Sequence, residues 1–130
     1  MSDLNKKVHA FKDDALGELD AIGIAKRINN KEITAEEAVL AAISRAQKVN
    51  PNINAIVTEL YDKALDESRK ELNGPFAGVP MFLKDMLNVK GISVHHGTRA
   101  YKETPKPSTT TDPIAKQIFA QGFVSLGMST

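Results

Sequence analysis

Hydrophobic residues recur with helical spacing in the first part of the chain. Four of them follow Asp20 at positions i, i+3, i+4 and i+7, namely Ala21, Ile24, Ala25 and Ile28. This period is typical of an amphipathic helix, and an aspartate directly before a helix can accept a hydrogen bond from its first turn. The pattern therefore predicts a helix that begins after Asp20.

A second helix is predicted to begin after Thr34. Thr34 and Glu37 have the spacing of a capping box, in which each side chain accepts a hydrogen bond from the other residue's backbone. Apolar residues then line one face of the helix: Ala38, Val39, Ala42, Ala46 and Val49. We expect Asn50-Pro51 to end this helix, because proline disrupts helical hydrogen bonding.

Short apolar runs rich in β-branched residues predict strands between the helices. Residues 53–58, INAIVT, and residues 123–128, FVSLGM, are two such runs, and residues 79–87, VPMFLKDML, predict a buried strand. Helices are predicted over residues 60–72 and after Asp112. Since helices alternate with strands, we expect an α/β fold with helices packed on a mixed or mainly parallel sheet.

The chain divides into a short polar segment and one longer unit. Residues 1–19 are mostly polar and predict an N-terminal arm or a weak helix. Residues 20–130 are expected to form the incomplete N-terminal part of one domain, because a parallel strand normally has neighbours and cover on both faces. Within this unit, residues 91–111 show no periodicity and predict a long loop of the kind that is often functional.

Composition narrows the possible functions. Of the 130 residues, 42% are hydrophobic and 25% charged, which fits a globular protein. The net charge of +1 gives no argument for a nucleic acid or an anionic membrane as a partner. No stretch reaches the roughly 18 apolar residues of a membrane span, and no signal peptide is recognisable. The absence of cysteine excludes thiolate metal sites and a cysteine nucleophile. We expect a cytoplasmic protein.

Lys84 is the candidate catalytic residue. It lies in the apolar run, after Leu83 and shortly before Met86. An ammonium group in apolar surroundings tends to lose its proton, because desolvation disfavours the charged form, and a neutral lysine can act as a general base. The alternative is a strand-end lysine whose stem packs while its amine stays in water. Asp85 would point to the opposite face of a strand, so we expect it to bind nearby backbone.

The adjacent histidines His95 and His96 are a second, weaker candidate. Neighbouring side chains on an extended segment point apart, and no third metal ligand lies at a useful spacing. We therefore predict a loop pair that has no role in chemistry.

Four segments in order resemble the N-terminal segment of an amidase-signature hydrolase, over roughly residues 20–130. The most specific is GPFAGVP at residues 74–80, followed by Leu83-Lys84-Asp85. The others are the first helix pair at residues 20–35, the Asn50-Pro51 turn with residues 53–55, and the helix and strand at residues 112–127.

This resemblance implies hydrolysis of a carbon–nitrogen bond in a small-molecule amide, through a serine acyl-enzyme and without a metal or organic cofactor. It implies a triad of a lysine, a serine in a cis peptide and a nucleophilic serine, with the lysine at Lys84. The Gly/Ser-rich signature that carries the two serines does not occur in these 130 residues. We therefore expect the isolated chain to be inactive.

Two alternatives stay open on the sequence. The first is part of the amidase-like subunit of a glutamine-dependent aminoacyl-tRNA amidotransferase, which the resemblance also permits. The second is a non-catalytic, truncated binding or structural module. Because an incomplete sheet leaves an open edge, we also expect that the isolated fragment can self-associate.

Overall fold

The computed structural model describes residues 8–130. The first seven residues of the predicted arm lie outside the described residues. Within residues 8–130 the elements follow in this order: α1 (Ala21–Asn29), α2 (Ala35–Ile53), β1 (Ile56–Glu59), α3 (Tyr61–Ser68), β2 (Pro80–Lys84), α4 (Pro113–Ala120) and β3 (Val124–Ser129).

The three strands form one mixed sheet in the order β1-β3-β2. β1 is antiparallel to β3, and β2 is parallel to it. In the parallel pair, Pro80 lies opposite Val124 and Lys84 lies opposite Ser129. The predicted α/β fold with a mixed sheet is therefore confirmed.

The sheet has a hydrophobic core on each face. One core packs α2 and α3 against β3 through Val39, Ile43, Ala64, Val124 and Leu126. The other packs α4 and the loop after β2 against the sheet through Leu83, Val89, Ile92, Ala115 and Met128. Phe82 packs against the first core while Leu83 belongs to the second, as the alternation of side chains along a strand requires.

β3 contains an irregular step at Gly127. Met81 pairs with Ser125 and Leu83 with Met128, so β3 has one more residue than β2 between these two pairs. Gly127 has a φ of 145°, and a Cβ at this position would collide with the carbonyl oxygen of Thr58. Only glycine allows β1 to approach β3 this closely.

The helix starts were predicted correctly. The Asp20 side chain accepts a hydrogen bond from Gly23 N (2.8 Å). Thr34 Oγ1 accepts from Glu37 N (3.0 Å), and the Glu37 carboxylate accepts from Thr34 N (2.8 Å), which completes the capping box.

The predicted end of α2 was wrong. The helix continues through Pro51 to Ile53 and is capped by Asn54 in a left-handed conformation (φ 47°). Proline lacks an N–H, but at Pro51 this removes a hydrogen bond only from the last turns of a long helix. The Asn50 side chain then accepts hydrogen bonds from the backbone of the next segment. Because α2 is longer, β1 begins at Ile56 and not at Ile53.

The described part of the predicted arm, residues 8–19, forms bends and turns. Leu16 is buried, and Asp14 forms an ion pair with Arg45 of α2 (Nη2–Oδ1 2.6 Å). Arg45 also donates to the carbonyls of Lys12 and Gly17. The Arg45 hydrogen bond lowers the pKa of Asp14. None of the helices within residues 8–130 has the length and hydropathy needed to cross a bilayer.

Candidate active site

Lys84 lies at the carboxyl edge of the parallel strand pair. β2 and β3 run in the same direction, so both end at this edge, where Lys84 is the register partner of Ser129. The backbone pairing extends one residue further, because Asp85 N donates to Ser129 O (2.7 Å). In open α/β sheets the carboxyl ends of the strands are where ligands bind.

The prediction that the Lys84 side chain is buried is wrong within the described residues. Leu83 and Asp85 are 2% and 1% exposed, whereas the Lys84 side chain is exposed. Leu83 faces the opposite side of the sheet from Lys84, and Met86 is 57% exposed, so these apolar neighbours in sequence do not bury the amine. The Lys84 amine has no hydrogen bond or ion pair with any residue between 8 and 130. The arrangement matches the alternative of a strand-end lysine with its amine in water.

Asp85 binds backbone, as the sequence predicted. Its two carboxylate oxygens accept hydrogen bonds from His95 N (3.0 Å) and Gly97 N (3.1 Å). Asp85 therefore does not pair with the Lys84 amine. It ties the end of β2 to a turn ten residues further along the chain.

The two histidines belong to that turn. Thr98 N donates to His95 O (3.1 Å), and the two central residues are left-handed, with φ 53° at His96 and 65° at Gly97. These are the features of a type I′ turn. The prediction that the two histidines lie in a loop is confirmed, and their lack of a role in chemistry stays a prediction. Residues 8–130 contain no group of three His, Asp or Glu side chains placed to hold a metal ion. His95 Nδ1 is buried and has no hydrogen-bond partner within residues 8–130.

The rest of the long loop is fixed by hydrogen bonds between its two arms. Asn88 N donates to the Asp112 carboxylate (2.7 Å), and Asp112 N donates back to Asn88 O (2.9 Å). Gly91 N donates to Ser108 O (2.8 Å), and Ser108 N donates to Ile92 O (2.9 Å). Hydrogen bonds thus join the two ends of the segment predicted to be irregular, residues 91–111, which lies in the longer loop between β2 and α4.

The glycine-containing residues before β2, 74–79, cross the backbone of residues 121–124 at close distance. Phe76 N donates to Gln121 O (2.8 Å), and Gly78 N donates to Gly122 O (2.9 Å). A Cβ on Gly74 would collide with the Gln121 carbonyl, and a Cβ on Gly122 would lie 2.6 Å from Ala77 Cα. A Cβ on Gly78 would lie 2.6 Å from Ala35 Cβ of α2, so close packing explains both glycines of GPFAGVP.

A cavity of about 670 Å3 lies away from Lys84. It is formed by α1 and residues 72–77, at the amino end of β2. Neither Lys84 nor Asp85 lines it. The cavity is thus separated from the candidate base by the length of the strand.

Two serines of β3, Ser125 and Ser129, lie close to the candidate site. Ser125 is buried, and its Oγ lies 3.2 Å from the carbonyl oxygen of Gly127. Ser129 Oγ donates to Leu83 O (3.4 Å), next to Lys84 in the sheet. Sequence reasoning missed this neighbour, because the pairing of β2 with β3 could not be read from either strand alone.

The family of the chain follows from comparison with known sequences. The family model for Amidase matches residues 37–130, which is more than half of the chain. The chain therefore belongs to the Amidase family, and the resemblance to amidase-signature hydrolases is confirmed.

Individual relatives agree with this assignment. AmiC of Mycobacterium bovis, which is named provisionally as an amidase, is 39% identical over 93% of this chain and 26% of its own length. A glutamyl-tRNA(Gln) amidotransferase chain of Moorella thermoacetica is 33% identical over 84% of this chain and 24% of its own. The structure of 6-aminohexanoate cyclic dimer hydrolase superimposes with a TM-score of 0.79 at 33% identity, over 95% of this chain and 24% of that one. The chain thus spans about a quarter of the length of the relatives it matches.

Proposed function

We propose that a protein containing this chain hydrolyses the carbon–nitrogen bond of a small-molecule amide, and that Lys84 is its general base. Family membership supports the reaction class. The observation that carries the residue assignment is the position of Lys84: its side chain is exposed at the carboxyl edge of β2, with no hydrogen-bonding or ionic partner among residues 8–130. An amine held there is free to meet a group from another segment.

In the proposed reaction, a serine hydroxyl attacks the amide carbonyl and forms an acyl-enzyme, and the amine leaves with a proton. A second, bridging serine takes the proton of the attacking hydroxyl and passes its own proton to neutral Lys84. The proton returns from Lys84 through the bridging serine to the leaving nitrogen, so that Lys84 is neutral again when the amine departs. Water then loses a proton to the same relay as it attacks the acyl-enzyme, and the relay returns this proton to the nucleophilic serine as the carboxylic acid is released. The two serines would come from sequence outside these 130 residues, as the amidase-signature resemblance implies.

The same external sequence would also have to cover Lys84. Desolvation is what favours the neutral amine that a general base requires, and the described residues leave this side chain exposed. Since the chain spans about a quarter of its relatives, we propose that the serine-bearing segment packs over the carboxyl edge of β2 and supplies both the bridging hydroxyl and the dry surroundings.

Substitution of the proposed base tests the assignment. In a longer protein that contains this chain, Lys84→Ala is expected to lower amide hydrolysis by about 10²-fold to 10⁴-fold, the usual contribution of general base catalysis. Release of carboxylic acid from a series of simple amides is the measurement. Lys90→Ala, which removes an exposed lysine of the following loop, is the matched control. Equal activity of Lys84→Ala and Lys90→Ala would show that another residue is the base.

The 130-residue chain by itself is expected to show no turnover, because it lacks the Gly/Ser-rich signature. The same amide assay with the purified chain tests this. Steady product release that is abolished by Lys84→Ala would contradict the expectation.

A second candidate function is part of the amidase-like subunit of a tRNA-dependent amidotransferase, which the match to the Moorella thermoacetica protein favours. The two candidates differ in the fate of the nitrogen. A hydrolase releases it as amine or ammonia, whereas an amidotransferase passes ammonia to an acceptor, so product analysis with and without a charged tRNA separates them.

Self-association of the isolated chain remains our proposal. Within residues 8–130, β2 pairs with β3 on one side only, so its other edge offers unpaired backbone groups. Sedimentation at rising protein concentration is the test, and a strictly monomeric chain would contradict it.

The cytoplasmic location also stays a prediction.

A further inference from the structure

Asp85 connects three parts of the molecule at the candidate active site. Its backbone N–H donates to Ser129 O of β3 (2.7 Å). Its carboxylate accepts from His95 N and Gly97 N of the turn. It is also the residue that follows Lys84, and it is 1% exposed. One buried residue thus joins β3 through its backbone N–H and the turn through its carboxylate.

The turn needs such an external support. His96 is left-handed, a conformation that a residue with a Cβ rarely adopts. Residues 96–100 are exposed, so apolar burial does not fix the turn. The Thr98 N to His95 O bond closes the turn internally, but the two bonds to Asp85 attach it to the sheet.

The attachment depends on both carboxylate oxygens. One oxygen accepts from His95 N and the other from Gly97 N, so each has its own donor. An ionised acceptor makes stronger hydrogen bonds than a neutral one. An asparagine could satisfy one of the two N–H groups, but its NH₂ group would face the other, which is also a donor.

We propose that Asp85 is a positioning residue for Lys84: it fixes the 95–98 turn to the end of β2, so that the turn and the backbone of Lys84 form one rigid unit. The strand alternation then keeps the Lys84 side chain on the side away from Asp85. The proposal rests on the proposed function in that Lys84 is taken as the base, but its geometry can be tested in the 130-residue chain.

Amide hydrogen exchange measured by NMR tests the attachment. Asp85→Asn is expected to lower the protection of the His95 and Gly97 amides by about tenfold or more, and to leave the Val124 amide, which donates to Val79 O, unchanged. Asp112→Asn is the matched control, because it removes the carboxylate that holds the other end of the loop and should affect the Asn88 amide alone. Unchanged protection of His95 and Gly97 in Asp85→Asn would overturn the proposal, as would an equal loss at Val124.

A second substitution keeps the test decisive if Asp85→Asn folds poorly. Glycine adopts the left-handed conformation readily, so the exposed change His96→Gly is expected to raise the protection of the Thr98 and Gly97 amides about threefold or more. Added to Asp85→Asn, it is expected to restore part of the lost protection. Lower protection in the single variant His96→Gly would show that the His96 side chain, and not Asp85, holds the turn.

The NMR signal of the Lys84 side chain tests whether Asp85 positions Lys84. With ¹³C-labelled lysine, the Lys84 Cε resonance is expected to shift or broaden in Asp85→Asn and to stay unchanged in Asp112→Asn. An unchanged resonance in both variants would mean that Asp85 is structural and does not position Lys84. Full amidase activity of Lys84→Ala would instead refute the proposed function, whatever the exchange and Cε data show.

Discussion

The two ends of β2 are stabilised by different kinds of contact. At the amino end, backbone meets backbone: residues 74–79 cross residues 121–124 through main-chain hydrogen bonds, and glycines let the two segments approach. At the carboxyl end, carboxylates of Asp85 and Asp112 hold the loop by its N–H groups.

This difference assigns separate roles to the two parts of the motif formed by GPFAGVP (residues 74–80) and Leu83-Lys84-Asp85. The glycines of the motif belong to the packed amino end, whereas the candidate chemistry lies at the other end of the same strand. A backbone crossing tolerates almost no added atoms, while a loop held by side chains retains space around it. The rigid end thus supports the strand whose last residue is the candidate base.

A glycine-to-alanine pair gives the largest contrast between the two ends. Gly122→Ala is expected to cost about 3 to 4 kcal/mol of unfolding free energy, because its Cβ would lie 2.6 Å from Ala77 Cα and its φ is 93°. Gly91→Ala, in the loop, meets nothing within 4 Å and should cost only about 1 to 2 kcal/mol for the left-handed conformation. Urea denaturation measures both, and equal losses would remove the distinction between the ends.

Lowering the pH is expected to weaken contacts made by carboxylate side chains and to leave hydrogen bonds between backbone groups unchanged. Arg45 lowers the pKa of Asp14 from its ordinary value of 3.8. Their ion pair therefore contributes fully above the unfolded-state pKa and is lost as the pH falls through the lowered folded-state pKa. Asp14→Asn should remove about 1 to 2 kcal/mol at neutral pH.

Amide exchange at two pH values measures this effect. Leu16 N and Gly17 N donate to the Asp14 carboxylate, so their protection should fall in acid in the wild type. After correction for the intrinsic pH dependence of exchange, Gly78 N, which donates to Gly122 O, should not change. A parallel loss at Gly78 would mean that acid unfolds the whole domain at once.

Substitution of the candidate base, Lys84, is expected to have the smallest effect on the stability of the chain. Because the Lys84 side chain is exposed and unpaired among residues 8–130, Lys84→Met should change the unfolding free energy of the chain by less than about 0.5 kcal/mol. Thermal denaturation of the two proteins measures this. A loss above about 1.5 kcal/mol would indicate that the amine has a partner and that the carboxyl end of β2 is tightly packed, like the amino end.

The sequence predicted local structure better than long-range placement. The Asp20 cap and the Thr34–Glu37 capping box were read correctly, because each depends on residues three apart. The end of α2 was misplaced, because Pro51 lies in the last turns of a long helix, where its missing N–H removes only one hydrogen bond. The family resemblance was also found from local segments.

The candidate site shows the same limit. The backbone-binding role of Asp85 followed from strand alternation, but its partners, His95 and Gly97, could not be named without the loop. The burial of Lys84 was inferred from its neighbours in sequence, whereas exposure depends on what lies across the strand. Its catalytic role stays a prediction.

The strand order β1-β3-β2 has a consequence for folding. β1 and β2 come first in the chain but do not pair with each other, so neither can form its ladder before residues 124–129 arrive. Ile56 must find Ser129 across most of the chain, and closure of such a long loop is slow. Nascent α2 and α3 would therefore keep the apolar surface that contacts β3 uncovered until β3 docks, and during that interval the polypeptide is most vulnerable to proteolysis and aggregation.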